Sequence, residues 1–155
     1  MSELFQTVEP YLQNVKLLTL ASCKNNAPWC ATVFYAFDSK LNFYFLSKPF
    51  RRHSQEILGN PNVSFTVVEQ RFEFGDKNMQ GVQAEGKCDL LTGKVALAAF
   101  EVYKRRFPLA EKVPVTDLTG ESKSDQAHRI WKISPAMIKI IHEEKYGVTG
   151  KEFKL

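Results

Sequence analysis

Apolar and polar positions alternate along most of this chain with the two-residue period of strands, and the period switches to helical spacing in three places. Leu4, Phe5, Val8, Tyr11 and Leu12 predict a short helix over residues 3–14, which Pro10 would interrupt. Lys16–Cys23 reads as a first strand, closed by the turn-forming run Lys24-Asn25-Asn26-Ala27-Pro28. Trp29–Phe37 is a second, with Trp29, Ala31, Val33, Tyr35 and Phe37 on one face and Cys30, Thr32, Phe34 and Ala36 on the other. Both faces are apolar or small, the pattern of a strand covered on both sides. Asp38-Ser39-Lys40 turns the chain into a third strand, Leu41–Ser47.

Phe50–Leu58 then predicts a short helix with Phe50, Ile57 and Leu58 inward, a left-handed cap at Gly59 and a stop at Pro61. Val63–Val68 is the fourth strand, and Gly81–Leu91 the fifth, after the polar stretch Glu69–Gln80. Lys94–Arg106 is the longest helical pattern, with Val95, Ala98, Ala99, Val102 and Tyr103 as its apolar face and Pro108 as its stop. Leu109–Ala127 has little periodicity and reads as a long loop. Arg129–Ile133 and Met137–His142 read as strand broken at Ser134-Pro135. Six strands without β-α-β alternation predict a mainly β (α+β) chain. The expected form is one domain over residues 1–155, a closed or nearly closed antiparallel barrel with a short helix after strand 3 and a longer one after strand 5.

Composition narrows this little: 44% hydrophobic and 25% charged residues are ordinary for a globular domain. No eighteen-residue apolar run offers a membrane-spanning helix, and the N-terminus lacks the pattern of a signal peptide, so a cytoplasmic protein is expected. Three cysteines, Cys23, Cys30 and Cys88, form no C-x-x-C pair and are expected as buried, reduced thiols. The net charge of +4 invites a nucleic-acid reading, but the basic residues fall in small groups rather than a stripe, which suits a phosphorylated small molecule at least as well.

The chemistry concentrates in Leu46-Ser47-Lys48-Pro49-Phe50-Arg51-Arg52-His53, where a strand ends and cations crowd a helix start. Cations there oppose the helix dipole, whereas an anion is favoured, so Arg52 with Ser47 or His53 could cradle a phosphate. A solvated basic helix start is the plain alternative. Cys30 could be a reactive thiol, but a packed strand thiol is the simpler reading. His53, His128 and His142 have no carboxylates at ligand spacing, so no metal site is expected. Asp125–His128 reads as solvated loop before acid–base pair, and Arg105-Arg106-Phe107-Pro108 as a helix end with welcome cations, or else a cover for a ligand or a contact with a second subunit.

The order of strand, Leu46-Ser47, Arg51-Arg52-His53, Ile57-Leu58-Gly59-Asn60-Pro61 and strand resembles the pyridoxamine 5'-phosphate oxidase-like flavin-binding split barrels. The resemblance implies flavin mononucleotide (FMN) as cofactor, its phosphate held by the basic pair eight and nine residues before the proline, here His53 and Arg52. It further implies flavin contacts along Cys30, Ala31, Thr32, Val33, Phe34 and Tyr35, at Leu46-Ser47, and on the fifth strand at Gly81 with Gln83 nearby. Cys30 and His53 stand where the family usually has Arg and Lys. Pro28-Trp29-Cys30-Ala31, Tyr103-Lys104-Arg105-Arg106-Phe107-Pro108 and Ile130-Trp131-Lys132-Ile133 resemble a small bacterial YhbP-like branch. The implied protein is a homodimeric oxidoreductase, without nucleic-acid or membrane partners. Pyridoxamine phosphate is not the expected substrate, because the family's Arg-x-His pair for the substrate phosphate has no match after Ile141. A non-catalytic flavin or haem binder, and a phosphate- or nucleic-acid-binding barrel, are the alternatives.

Overall fold

The computed structural model describes residues 3–76, 78–116, 118 and 126–155. Helix α1 (Glu3–Asn14) leads into strands β1 (Leu17–Lys24), β2 (Ala27–Phe37) and β3 (Phe43–Ser47), then helix α2 (Arg52–Gly59) and strands β4 (Asn62–Val68) and β5 (Gln80–Leu90). Helix α3 (Gly93–Arg106), a 3-10 turn (Pro108–Lys112), β6 (Arg129–His142), the single-turn helix α4 (Glu143–Tyr146) and β7 (Lys151–Lys154) complete the described chain. The sheet runs β3-β2-β1-β4-β5-β6-β7, and β3 also pairs with β6 through Phe43–Ser47 against Arg129–Ile133. Six strands therefore close into a ring, with every neighbouring pair antiparallel, and β7 is added on the free half of β6.

The alternating pattern explains the ring. Leu18 and Leu20 of β1, Val63, Phe65 and Val67 of β4, and Ile133, Ile138 and Ile140 of β6 point into one core with Phe43 and Phe45. Leu4, Phe5, Val8 and Leu12 of α1 join that core. Pro10 does not interrupt α1, because Pro10 and Gln6 both lie on its exposed side, where water can serve the carbonyl that proline's missing N–H leaves unpaired.

A second, smaller core lies outside the ring, where Ala96, Ala99, Phe100 and Tyr103 of α3 pack on Ala36, Tyr44 and Ile130. The expected apolar face of α3 is thus rotated: Val95 is exposed, and small alanines let the helix approach the sheet. In α2 the correction is larger. Phe50 and Leu58 are exposed, Ile57 is buried, and the rest of the inward face is polar: His53, Ser54 and Glu56. Gly59 stays helical and Asn60 ends the helix with φ −147°, its side-chain amide donating to the Cys23 carbonyl at 3.2 Å, so the left-handed cap is not used.

The third strand starts later than Leu41, which adopts φ 58° inside the turn and donates its N–H to the Asp38 carbonyl. Around Ser134-Pro135 the strand bulges instead of breaking, the register with β5 shifting at Glu85/Gly86. Gly86 makes this possible: a Cβ there would sit 2.3 Å from the Ser134 carbonyl oxygen and 2.7 Å from the Pro135 Cα. Within one chain β2 is not covered on both faces, since Ala27–Cys30, Thr32 and Phe34 are exposed. No helix among the described residues is long and apolar enough to cross a membrane.

Candidate functional site: a cleft with one cationic end

A cleft of about 850 Å³ opens on the outside of the ring, floored by β2 from Trp29 to Phe34. One end is formed by the segment joining β3 to α2, with Leu46, Ser47, Lys48, Arg51, Arg52 and His53. The other is formed by the end of α3 and the turn after it, through Tyr103, Phe107, Leu109 and Val113, and His128 also reaches the wall. Phe34 and Phe107 meet edge-on, ring centroids 5.6 Å apart, and close the apolar end.

The cationic end is built on buried polar groups. Trp131 stacks parallel to Phe45 and donates its indole N–H to the Ser47 carbonyl at 3.3 Å, fixing the end of β3. The Ser47 hydroxyl lies 2.7 Å from His53 Nε2 and accepts from Ser54 Oγ at 3.2 Å. Burial, and then the charge of Arg51, push the His53 pKa below its usual value against the opposing pull of Glu56, so the imidazole is neutral at pH 7. His53 thus braces Ser47 at the cationic end of the cleft. Burial, Lys48 and Arg51 likewise lower His128.

Arg52 is held from two sides. Its Nε donates to Glu56 Oε1 at 2.8 Å, and its guanidinium carbon lies 4.2 Å from the Trp29 ring centroid. Glu56, on the buried face of the same helix, accepts a 2.6 Å bond from the Ser22 hydroxyl. The Ser22 hydroxyl and then the Arg52 guanidinium hold the Glu56 carboxyl below the usual carboxylate range. No side chain caps the start of α2, so its first backbone N–H groups and the positive end of its dipole face the same end of the cleft as Lys48, Arg51 and Arg52.

Of the residues expected at the site, Cys30, Ala31, Thr32, Val33, Phe34, Leu46, Ser47, Arg52 and His53 line this one cleft. Tyr35, Gly81 and Gln83 do not. Tyr35 points into the core, its hydroxyl shared between the carbonyls of Leu12 and Val15. Gly81 and Gln83 sit on β5, Gly81 beside Val67 and Gln83 exposed opposite Thr66 and Lys139. Lys48, Trp29 and His128 join the cleft without having been assigned to the cofactor, although Lys48 sits in the segment already marked by its charge.

The remaining candidates resolve individually. Cys30 is exposed on the cleft floor rather than buried, Cys23 is half-buried, and burial pushes the Cys88 thiol up. Arg106 turns inward to the end of α1, while Phe107 faces the cleft. Asp125, the acid of the alternative Asp125–His128 pair, lies outside the described residues.

A six-stranded antiparallel ring, closed over by helices, with a cleft on the outer face of one strand, defines the split β-barrel class. The pyridoxamine 5'-phosphate oxidase family profile matches residues 4–142, and the chain belongs to that family. It is 32% identical over 120 residues to a UPF0306 protein of Photorhabdus laumondii, covering 76% of this chain and 82% of that one. Among solved structures it is similar to a haem-binding protein of Mycobacterium smegmatis, with TM-score 0.67, 16% identity and 91% of this chain covered. The chain spans about half (52%) of the length of that protein. The haem storage protein HutZ of Vibrio cholerae gives TM-score 0.67 at 15% identity, covering 86% of this chain and 91% of that one.

Proposed function

We propose that the cleft binds FMN and that the protein is an oxidoreductase-class flavoprotein, not an oxidase of pyridoxamine phosphate. The observation that carries this reading is the pairing of an anion-ready end with a flat apolar floor in one cleft. Lys48, Arg51 and Arg52 line one end of the cleft at the uncapped start of α2, and the charges of Lys48 and Arg51 already disfavour a proton on His128, a positive field that a phosphate dianion would relieve. β2 offers backbone and small or apolar side chains over the length of a planar ring system. The volume lies within the roughly 300–1,000 Å³ of small-ligand sites, so the residues fit a flavin phosphate.

A bound flavin supplies hydride and electron transfer by its own chemistry. The chain's part is to hold the phosphate through Arg52, with Lys48 and Arg51 as further charges, to seat the ring on β2, and to exclude water at the Phe34–Phe107 end. Leu17, Trp29 and Phe34, all at least 41% exposed, support a two-fold partner over this face, giving a homodimer in which the cleft lies at the subunit boundary.

His128 favours haem as a second reading. It lines the cleft, and its lowered pKa keeps the imidazole neutral, as iron ligation requires. One experiment separates the two: cofactor released by denaturing the purified protein is identified by mass, after spectra of the intact protein. Flavin bands and the mass of FMN sustain the proposal, a Soret band transfers it to haem, and failure to take up either group on reconstitution refutes both.

A further inference from the structure

The carboxylate of Glu56 is buried, and because well-packed apolar residues often hold elements together as well as a buried ion pair does, its charge calls for an explanation beyond packing. What Glu56 does is aim Arg52. An arginine on the open side of a helix start samples many rotamers unless partners hold its guanidinium. Arg52 is fixed instead: Glu56 takes Nε, the Trp29 face takes one side of the guanidinium plane, and Ser22 on β1 holds the second carboxylate oxygen. With Nε occupied, the outer edge carrying the two Nη groups is the part of the guanidinium left to a ligand in the cleft. An oxyanion is bound best by two parallel N–H groups in a fixed plane, and ordering them beforehand removes an entropic cost of binding.

We propose that Ser22, Glu56 and Trp29 form a clamp that presets Arg52 for a phosphate oxyanion, with Glu56 the positioning residue for recognition of the ligand's phosphate. The inference rests on the phosphorylated-flavin reading of the cleft and adds to it how discrimination between phosphorylated and unphosphorylated ligand arises. Glu56 is itself an anion, so its net effect has a testable sign. If its charge merely neutralised Arg52, removing it would strengthen phosphate binding. If it positions Arg52, removing it weakens phosphate binding and leaves the rest of the ligand's affinity alone.

The test measures FMN and riboflavin affinities side by side, by flavin fluorescence, for the full chain and its Glu56→Ala, Glu56→Gln and Ser22→Ala variants. The unaltered protein should prefer FMN by about ten- to a hundredfold, the worth of charge-assisted phosphate contacts. Glu56→Ala should cut that preference at least about fivefold while riboflavin affinity moves less than about twofold, and Glu56→Gln, which keeps an acceptor for Nε, should restore part of it. A Glu56→Ala protein that keeps the full preference, binds FMN more tightly, or loses both flavins equally overturns the clamp. Should Glu56→Ala fail to fold, Ser22→Ala decides: a preference reduced about two- to fivefold supports the clamp, and an unchanged one refutes it. An unaltered protein that binds FMN and riboflavin alike, or neither, refutes the underlying flavin reading itself and so is distinguishable from failure of the clamp.

Discussion

Arg105 and Arg106 are adjacent cations at the end of α3, and the structure gives them opposite weights. Arg106 Nη2 donates to the carbonyls of Leu12 at 2.6 Å and Val15 at 2.9 Å, and approaches Gln13 at 3.4 Å. Leu12 and Gln13 are among the last residues of α1, whose terminal carbonyls have no intrahelical partner. The guanidinium also lies 4.6 Å from the Tyr35 ring centroid, so one side chain joins α3, α1 and β2. Arg106→Met keeps the apolar stem and removes the donors. Two short charge-assisted bonds at about 1.5–3 kcal/mol each, and a cation–π contact of about 0.5–2 kcal/mol, set the scale. Leu12 and Val15 still accept from the Tyr35 hydroxyl after the change, and the side chain is only half-buried, so the sum is discounted. The expected loss is about 3–4 kcal/mol, or roughly 6–16 °C in Tm for a chain of this size. Arg105→Met, at an exposed position, should stay within about 0.5 kcal/mol. Thermal and urea unfolding of the two variants is the assay. A difference between them below about 1 kcal/mol would refute the view that Arg106 ties α1 to the ring.

Gly86→Ala should destabilise by more than about 2 kcal/mol, because the clashing atoms at Ser134 and Pro135 are backbone and cannot move aside; urea unfolding measures it, and a neutral result would mean the bulge is misplaced. The pKa values of buried His53 and half-buried His128 are both lowered, so below about pH 6.5 the unfolded chain binds protons that the folded chain resists, and stability should fall from pH 7 to pH 5. His53→Gln should flatten part of that slope, and an unaltered slope would remove His53 from the account. Phe34→Glu, at a position 54% exposed on the open face of β2, should convert a dimer to monomers in sedimentation at micromolar concentration, whereas an unaltered protein that is already a flavin-loaded monomer contradicts the shared cleft. Flavin-loaded protein under air should form pyridoxal phosphate from pyridoxamine phosphate only at the rate of free flavin, since the cleft's apolar end carries Phe107, Leu109 and Val113 instead of a second set of phosphate donors; turnover near 1 per second or faster would show otherwise.

The strands were legible because their alternation is long and clean, as in Val63, Phe65 and Val67. The helices were legible in extent but not in facing. Two overlapping apolar stripes run along α3, sharing Ala99 and Tyr103, and the sheet's need for close approach selected the one that adds Ala96 and Phe100 over the one with Val95 and Ala98, a choice that periodicity alone does not contain. In α2 the pattern failed for a different reason. His53, Ser54 and Glu56 are buried because Ser47, at the end of the preceding strand, and Ser22, distant in sequence, satisfy them, so Phe50 and Leu58 could stay outside. The four-residue strand β7, Lys151–Lys154, is too short and polar to announce itself. At the cleft, the local segment from Leu46 to His53 and the strand from Cys30 to Phe34 converge, because each is continuous in sequence. His128 could not be placed there beforehand, since it is carried across by the β3–β6 pairing that begins at Arg129 and by its bridge to Val115, both between segments distant in sequence.

That pairing also orders events in time. Trp131 and Ser47, which seal it, are 84 residues apart in sequence, and long-range antiparallel closures of this kind are slow to form. Hairpins such as β1–β2 and β4–β5 can assemble from neighbouring chain, and the floor and cationic end of the cleft lie on β2, β3 and α2, but its apolar end waits for β6, which brings His128 and the Ile130 seat of α3. Until then the cleft lacks the wall formed by Tyr103, Phe107, Leu109 and Val113. If the cleft holds FMN as proposed, added FMN should increase the yield of refolded protein without accelerating the slow closing of the ring.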